Sequence, residues 1–287
     1  MSYATNLQTK MQLKKKILIK GFADSCKVVM KKPFYIIVPS IIDLLFLFVF
    51  FIVYYFLFEN IMNKVISLLM LTGKTLQGLT QTDITLNVLS NQQQMNSLII
   101  TIGFWIFGLA ALTYVIYCLF QGINWFIAHK IFKIKINFKE YIKRFFAVNF
   151  IWYVITLIII YFYVKAVIYT QVLRIPSNLG IVSIFSAILL IILSYFAFIS
   201  YILIKKQGFI DAIKKSFSLG TKEFQTIASM YVLLILGFAL IDGLLRLLFM
   251  INTTLMIIVG IILIFPFIAY ARLVIISVIE NLTKKNN

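Results

Sequence analysis

Five ionisable side chains, Asp43, Lys165, Asp242, Arg246 and Arg272, stand inside long apolar runs of this 287-residue chain. A charge is costly there, so each is a candidate for function. Such groups support two kinds of chemistry. Facing acids and bases fix helix register as buried pairs, whereas the same groups beside a hydrated cavity line a solute pathway. Asp242 and Arg246 are spaced i, i+4 and can pair on one helix face. Asp43 lies about nine residues into its run and Arg272 about seven from the end of its own, so at 1.5 Å per residue both sit roughly 10–14 Å deep and can pair between helices. Lys165 is close enough to the end of its run to snorkel. Gln121 and Asn124, spaced i, i+3, are read as hydrogen-bonding across helices. Pro39 and Pro266 interrupt the runs that carry Asp43 and Arg272. Each frees a carbonyl four residues back, at Tyr35 and Ile262, for those charges or for a ligand.

Hydrolytic and metal chemistry lack their residues. His129 is the single histidine, stands beside Lys130 at the end of an apolar run, and reads as a boundary residue. Cys26 and Cys118 are too differently placed to pair. The "DGLLR" that starts at Asp242 is superficially like the opening of the CDP-alcohol phosphotransferase motif, but the later spaced aspartates are missing. There is no HExxH, Walker loop, nucleophile elbow or carboxylate cluster. The expectation is a non-enzyme with no catalytic residues, no cofactor and no metal.

The elements that carry these groups follow from composition. The chain is 62% hydrophobic and 13% charged, with a mean hydropathy of +1.01. Six runs, at about 34–58, 98–127, 150–170, 181–204, 226–250 and 255–279, reach the roughly 20 residues that a helix needs to cross a bilayer. Their continuity excludes the alternating strands of a barrel. The predicted fold is all-α, a polytopic membrane protein forming one integral domain over 1–287. "INTT" marks a hairpin turn between the last two spans. Between the first two, a polar connection from Glu59 to Ser97 reads as the one long outer loop and the best contact surface on that side. Within it, 61–71 has the pattern of a short helix on the outer leaflet. The basic first 16 residues lead into a run with no cleavage site, so no removable signal peptide is expected.

Segments 1–33, 128–149, 205–225 and 280–287 lie on one side and hold 21 of the 27 Lys and Arg. The positive-inside rule makes that side cytoplasmic, so the expectation is a multi-pass protein of the cell membrane with both termini in the cytoplasm. The net charge of +18 is therefore mostly topology. The expected partners are anionic inner-leaflet lipids, together with a membrane-protein partner or a second copy of the chain; nucleic acid is excluded by the lack of basic clustering off the membrane.

"GFIDAIKKSFSLGTKEF", Gly208 to Phe224, is amphipathic on a helical wheel. Phe209, Ile210, Ile213, Phe217 and Phe224 share an arc of about 100°, opposite Asp211, Lys214, Lys215, Ser218 and Lys222. An interfacial helix and a connector packed on the bundle both fit that wheel. "GFADSCKVVM" at Gly21 and "FKEYIKRFF" at Phe138 echo it, aligning Phe22, Phe138 and Phe209, then Asp24, Glu140 and Asp211, then Lys27, Lys143 and Lys214. The echoes suggest a threefold repeat with units at 17–129, 136–206 and 207–283. Phe22, Lys27, Phe138, Lys143, Phe209, Lys214 and Lys215 are thus candidate lipid- or partner-binding residues.

"DAIKKSF", just inside the fifth span, and "KKPFYIIVPS" before the first resemble uncharacterised six-helix families of bacteria and archaea, among them the membrane domain of glycerophosphodiester phosphodiesterases. The resemblance implies the six-span layout. It does not carry the hydrolase activity, which belongs to a separate soluble barrel with its own acidic metal ligands, and only eight residues follow the last predicted span here. The leading expectation is a scaffold or accessory protein that engages anionic lipid or a membrane partner through its amphipathic helices. The alternative is a transporter or channel for a small solute or lipid.

Overall fold

The computed structural model describes residues 2–76, 81–132, 137–172, 179–205 and 208–286, with side chains for 12, 14–71, 92–132, 137–170, 180–205 and 208–285. The described residues form eight helices and no strand: α1 (Ser2–Lys31), α2 (Phe34–Leu76), α3 (Gln81–Ile131), α4 (Phe138–Val172), α5 (Leu179–Leu203), α6 (Phe209–Lys222), α7 (Phe224–Ile251) and α8 (Thr253–Asn286). Six of them are long and apolar enough to cross a membrane, over Phe34–Leu71, Gln92–Ile131, Phe138–Thr170, Gly180–Leu203, Phe224–Ile251 and Thr253–Lys285. The architecture is that of an all-α, multi-pass membrane protein.

The turn between α7 and α8 is a single residue. Asn252 leaves the helix at φ −160°, ψ 122°, while its N–H still donates to the Leu248 carbonyl at 2.9 Å. Its Oδ1 accepts the Leu255 N–H at 3.0 Å. One side chain thus caps the helix that follows.

The chain divides into two compact units, Met1–Leu44 with Cys118–Asn287, and Leu45–Tyr117. The second unit corrects the expected outer loop. α2 runs on to Leu76 and α3 begins at Gln81, so the segment from Glu59 to Ser97 is mostly helix, and 61–71 is a continuation of α2 rather than a separate helix on a leaflet. The first apolar helix alone extends over 38 residues, about 57 Å, against a hydrocarbon thickness of about 30 Å. Hydropathy locates the edge of the apolar region, but nothing at that edge stops a helix, because the first glycine comes only at Gly73. The polar side chains bond their own helix instead: Asn60 Nδ2 donates to the Phe56 carbonyl and Ser67 Oγ to that of Asn63, both at 2.8 Å. Phe46, Phe50, Tyr54 and Phe58 stack at i, i+4 along α2 with centroids 5.4–5.9 Å apart, and Phe46 meets Tyr117 of α3 edge-on at 6.3 Å. The side chains of Lys74 and Asp83, and residue Arg174, lie outside the described residues.

The first unit holds the main core, built from α3, α4, α5, α7 and α8 around Trp125, Tyr141, Phe145, Tyr201, Met230 and Leu273. Its three echo segments differ in form. The first is the second half of α1. The second is not a separate amphipathic helix but the opening turns of α4, because no breaker separates Phe138 from the apolar run beyond. The third is α6, a helix of its own.

α6 docks through small residues. Ala212, Ser216, Leu219 and Gly220 are buried, at i, i+4, i+7 and i+8, against α5 and α4. The apolar arc expected from the wheel divides: Phe217 sets its ring 4.4 Å from Phe196 and 5.9 Å from Trp152 and Ile213 packs on the core, whereas Ile210 remains 52% exposed. Gly220 permits the close approach. A Cβ there would stand 2.7 Å from Phe196 Cε1 and 3.0 Å from Tyr195 Cε1, and the Gly220 carbonyl accepts the Tyr195 hydroxyl at 2.8 Å. Gly220→Leu is expected to cost about 1–3 kcal/mol through overpacking. Gly243→Leu, where an added Cβ meets nothing within 4 Å, should be close to neutral. Thermal unfolding of both variants in detergent checks this, and equal losses would refute the docking role of Gly220.

Candidate functional site

The structure brings Asp43 and Arg272 together, 229 residues apart in sequence. Arg272 Nη1 donates to Asp43 Oδ2 at 2.6 Å and Nη2 to Oδ1 at 2.8 Å, a two-pronged guanidinium–carboxylate pair. Gln121 and Asn124 complete it. Gln121 Nε2 and Asn124 Nδ2 donate to Asp43 Oδ1 at 3.1 and 2.8 Å, and Gln121 Oε1 accepts Arg272 Nη2 at 2.8 Å. Asp43 is 4% exposed and Arg272 7%.

Each helix places its residue for a local reason. Asp43 sits two turns beyond the start of α2, four residues after Pro39, which lies inside the helix without ending it. Ser40 Oγ donates to the Ile36 carbonyl at 2.7 Å beside it. The i, i+3 spacing of Gln121 and Asn124 puts both amides on one face of α3. α8 passes through Pro266 and remains helical to Arg272.

The charges of the cluster are paired with one another. Asp43 accepts four hydrogen bonds, about the capacity of a carboxylate. The guanidinium spends three of its donor contacts on the same two partners. The Asn124 Oδ1 is buried there without a hydrogen-bond partner. Such an arrangement holds α2, α3 and α8 in one rotational setting, since turning any of them would strand a buried charge.

The other intramembrane charges are not part of it. Arg246 Nε donates to Asp242 Oδ2 at 2.8 Å within α7, with side chains 78% and 51% exposed, so this pair neutralises itself on the outside of the helix. Lys165 is exposed on α4. Gly237 packs closely, its added Cβ falling 2.8 Å from Phe267 Cζ, whereas Gly243 faces open space.

A second polar cluster was not legible in the sequence. His129 is fully buried rather than a boundary residue, and its Nε2 donates to the Tyr201 carbonyl at 3.2 Å. The same carbonyl accepts the Tyr141 hydroxyl at 3.3 Å, and Arg144 Nη1 donates to the Ile204 carbonyl at 3.0 Å. These groups serve the C-terminal end of α5, whose last carbonyls have no intrahelical donor. Tyr201 donates in turn to Asn149 Oδ1, and Trp152 Nε1 to Ser200 Oγ. Lys205 pairs with Glu280 of α8, and Lys14 with Glu223 at 3.5 Å. The signal available was only the coincidence of polar residues at the ends of three runs.

The candidate lipid- or partner-binding residues are spread over α1, α4 and α6. Phe22 is partly buried on the core, whereas Phe138, 46% exposed, packs edge-on to Phe126 at 5.0 Å. Phe209 is at the exposed start of α6, Lys27, Lys143 and Lys214 are exposed, and Lys215 is half-buried. Lys27 lines a cavity of about 340 Å³ with Asp24, Lys31, Glu280 and Lys284. Among the described residues no group of His, Cys, Asp and Glu is placed to hold a metal. The chain matches no family model, no curated protein and no solved structure.

Removing one partner of the central pair should be severe. Arg272→Ala leaves Asp43 buried and uncompensated, and a loss of about 3–5 kcal/mol in folding stability is expected, with Asp43→Ala similar. The swap Asp43→Arg with Arg272→Asp should recover much of it. Unfolding midpoints of the three variants in detergent test this, and a double mutant no better than either single would overturn the pairing as a source of stability.

Proposed function

We propose that this protein is a non-enzymatic membrane scaffold or accessory protein, oriented with both termini in the cytoplasm, whose amphipathic helices engage anionic lipid and present a surface to a membrane partner. The observation that carries this reading is the division of α6 into three faces. Ala212, Ser216, Leu219 and Gly220 dock it on the bundle with the Phe217 ring beside them, Phe209 and Ile210 stay exposed and apolar, and Asp211, Lys214 and Lys222 stay exposed on the polar side. A connector whose sole task was to join two helices would gain nothing from exposed phenylalanine next to lysine. At a membrane surface that combination places the apolar residues at the acyl boundary and the amines among the headgroups. The pairing of Asp43 with Arg272 supports the same reading, since both charges are committed to holding helices together.

The test is lipid preference. Reconstituted into liposomes with and without phosphatidylglycerol, the protein should collect anionic lipid around it. Lys214→Gln/Lys215→Gln should lower that enrichment by about five-fold per lysine, as expected for a cation near an anionic surface. Equal enrichment around wild type and variant would overturn the role of α6.

A further inference from the structure

A cavity of about 300 Å³ opens between α1 and the first turn of α7, lined by Lys14, Lys15, Leu18, Gln225, Thr226 and Ser229. α7 starts here without a side-chain cap at Glu223. Its first-turn N–H groups and the positive end of its dipole therefore belong to the wall that Gln225 and Thr226 form. α1 adds two cations. Lys14 lies 3.5 Å from the Glu223 carboxylate, and Lys15 makes no ion pair among the described residues. Thr226 is only 3% exposed, and its Oγ1 has no hydrogen-bond partner. A buried hydroxyl left unpaired has a cost that a ligand acceptor would remove. Two cations and a helix N-terminus against one carboxylate leave the cavity electropositive.

We propose that this cavity binds a phosphate group, held by Lys14 and Lys15, by first-turn N–H groups of α7 and by the Thr226 hydroxyl. Helix N-termini with flanking cations are suited to that charge. Glu223 competes with the phosphate for Lys14 and so sets the affinity. The source of the phosphate rests on the lipid reading above. The cavity lies where a membrane-crossing helix begins, Leu18 forms part of its wall and Phe224 beside it is 61% exposed. A lipid phosphodiester with its chains along α7 satisfies all three features, and inorganic phosphate is the other source of the same chemistry.

Full-length protein in detergent, titrated with short-chain phosphatidylglycerol, inorganic phosphate or a diacylglycerol without phosphate, and read by native mass spectrometry, tests the site. Phosphatidylglycerol should bind and diacylglycerol should not. Lys15→Gln, on an exposed side chain, should weaken binding about five-fold. Thr226→Val should weaken it and Thr226→Ser retain it. Glu223→Gln, which releases Lys14, should strengthen it. Displacement of the lipid by equimolar inorganic phosphate, with the same dependence on Lys15 and Thr226, would support the site with the free anion as its ligand. Equal phosphatidylglycerol affinity in wild type, Lys15→Gln and Glu223→Gln would overturn it. If Lys214→Gln/Lys215→Gln loses lipid enrichment in that case, the reading of α6 stands and only the cavity fails; if the cavity variants respond while α6 neutralisation changes nothing, the reverse holds.

Discussion

The Asp43 carboxylate accepts donors from two other helices, and the arrangement of the apolar segments around it depends on that. Lipid tails are as apolar as leucine, so burial alone does not choose which faces of membrane helices meet. A carboxylate removed from water does choose, because it must be paired and fully hydrogen-bonded or it destabilises the fold. Arg272 neutralises it, Gln121 and Asn124 add two further donors to its Oδ1, and the four bonds fix α2, α3 and α8 against rotation. Asp242 and Arg246 show the contrast. With their partner one turn away on the same helix, they are satisfied without constraining any neighbour.

Around that anchor the first unit is closed by backbone groups that need partners and by glycines that admit neighbours. The C-terminal carbonyls of α5 are answered from α3 and α4, by His129, Tyr141 and Arg144. Polar side chains thereby draw three helices to one point, in the same way as the Asp43 cluster. Gly21 serves packing, since a Cβ there would run into Val278 Cγ2, and α1 lies against α8 because of it. Gly208, its counterpart in the echo, precedes α6 and meets only Asp211. Matching letters thus occupy unlike environments, which is why the echoed segments take three different forms.

The basic residues divide in the same manner. Lys205 and Lys14 are drawn into ion pairs with Glu280 and Glu223, and these tie α1 and the end of α5 to α7 and α8. Lys27, Lys143 and Lys214 stay exposed. The first group is structural and the second is available to the surroundings. The surface reading of α6 and the phosphate cavity both draw on charge that the fold does not consume.

The sequence by itself determined the all-α class, six helices long and apolar enough to cross a membrane, the turn at Asn252 and the matching levels of Asp43 and Arg272 along their helices, because hydropathy and rise per residue are local quantities that need no partner. It could not locate the ends of α2 and α3. Hydropathy reports where lipid ends, whereas a helix ends only where its hydrogen bonds fail, and Asn60 and Ser67 keep theirs. Nor could it assign the docking face of α6. The wheel ranks residues by hydrophobicity, but the close approach to Tyr195 and Phe196 buried Ser216 and Gly220 along with Ala212 and Leu219, and only the neighbouring helix makes that selection. His129 was misplaced for the same reason: its burial depends on Tyr201, 72 residues away, whose carbonyl became available where α5 ends.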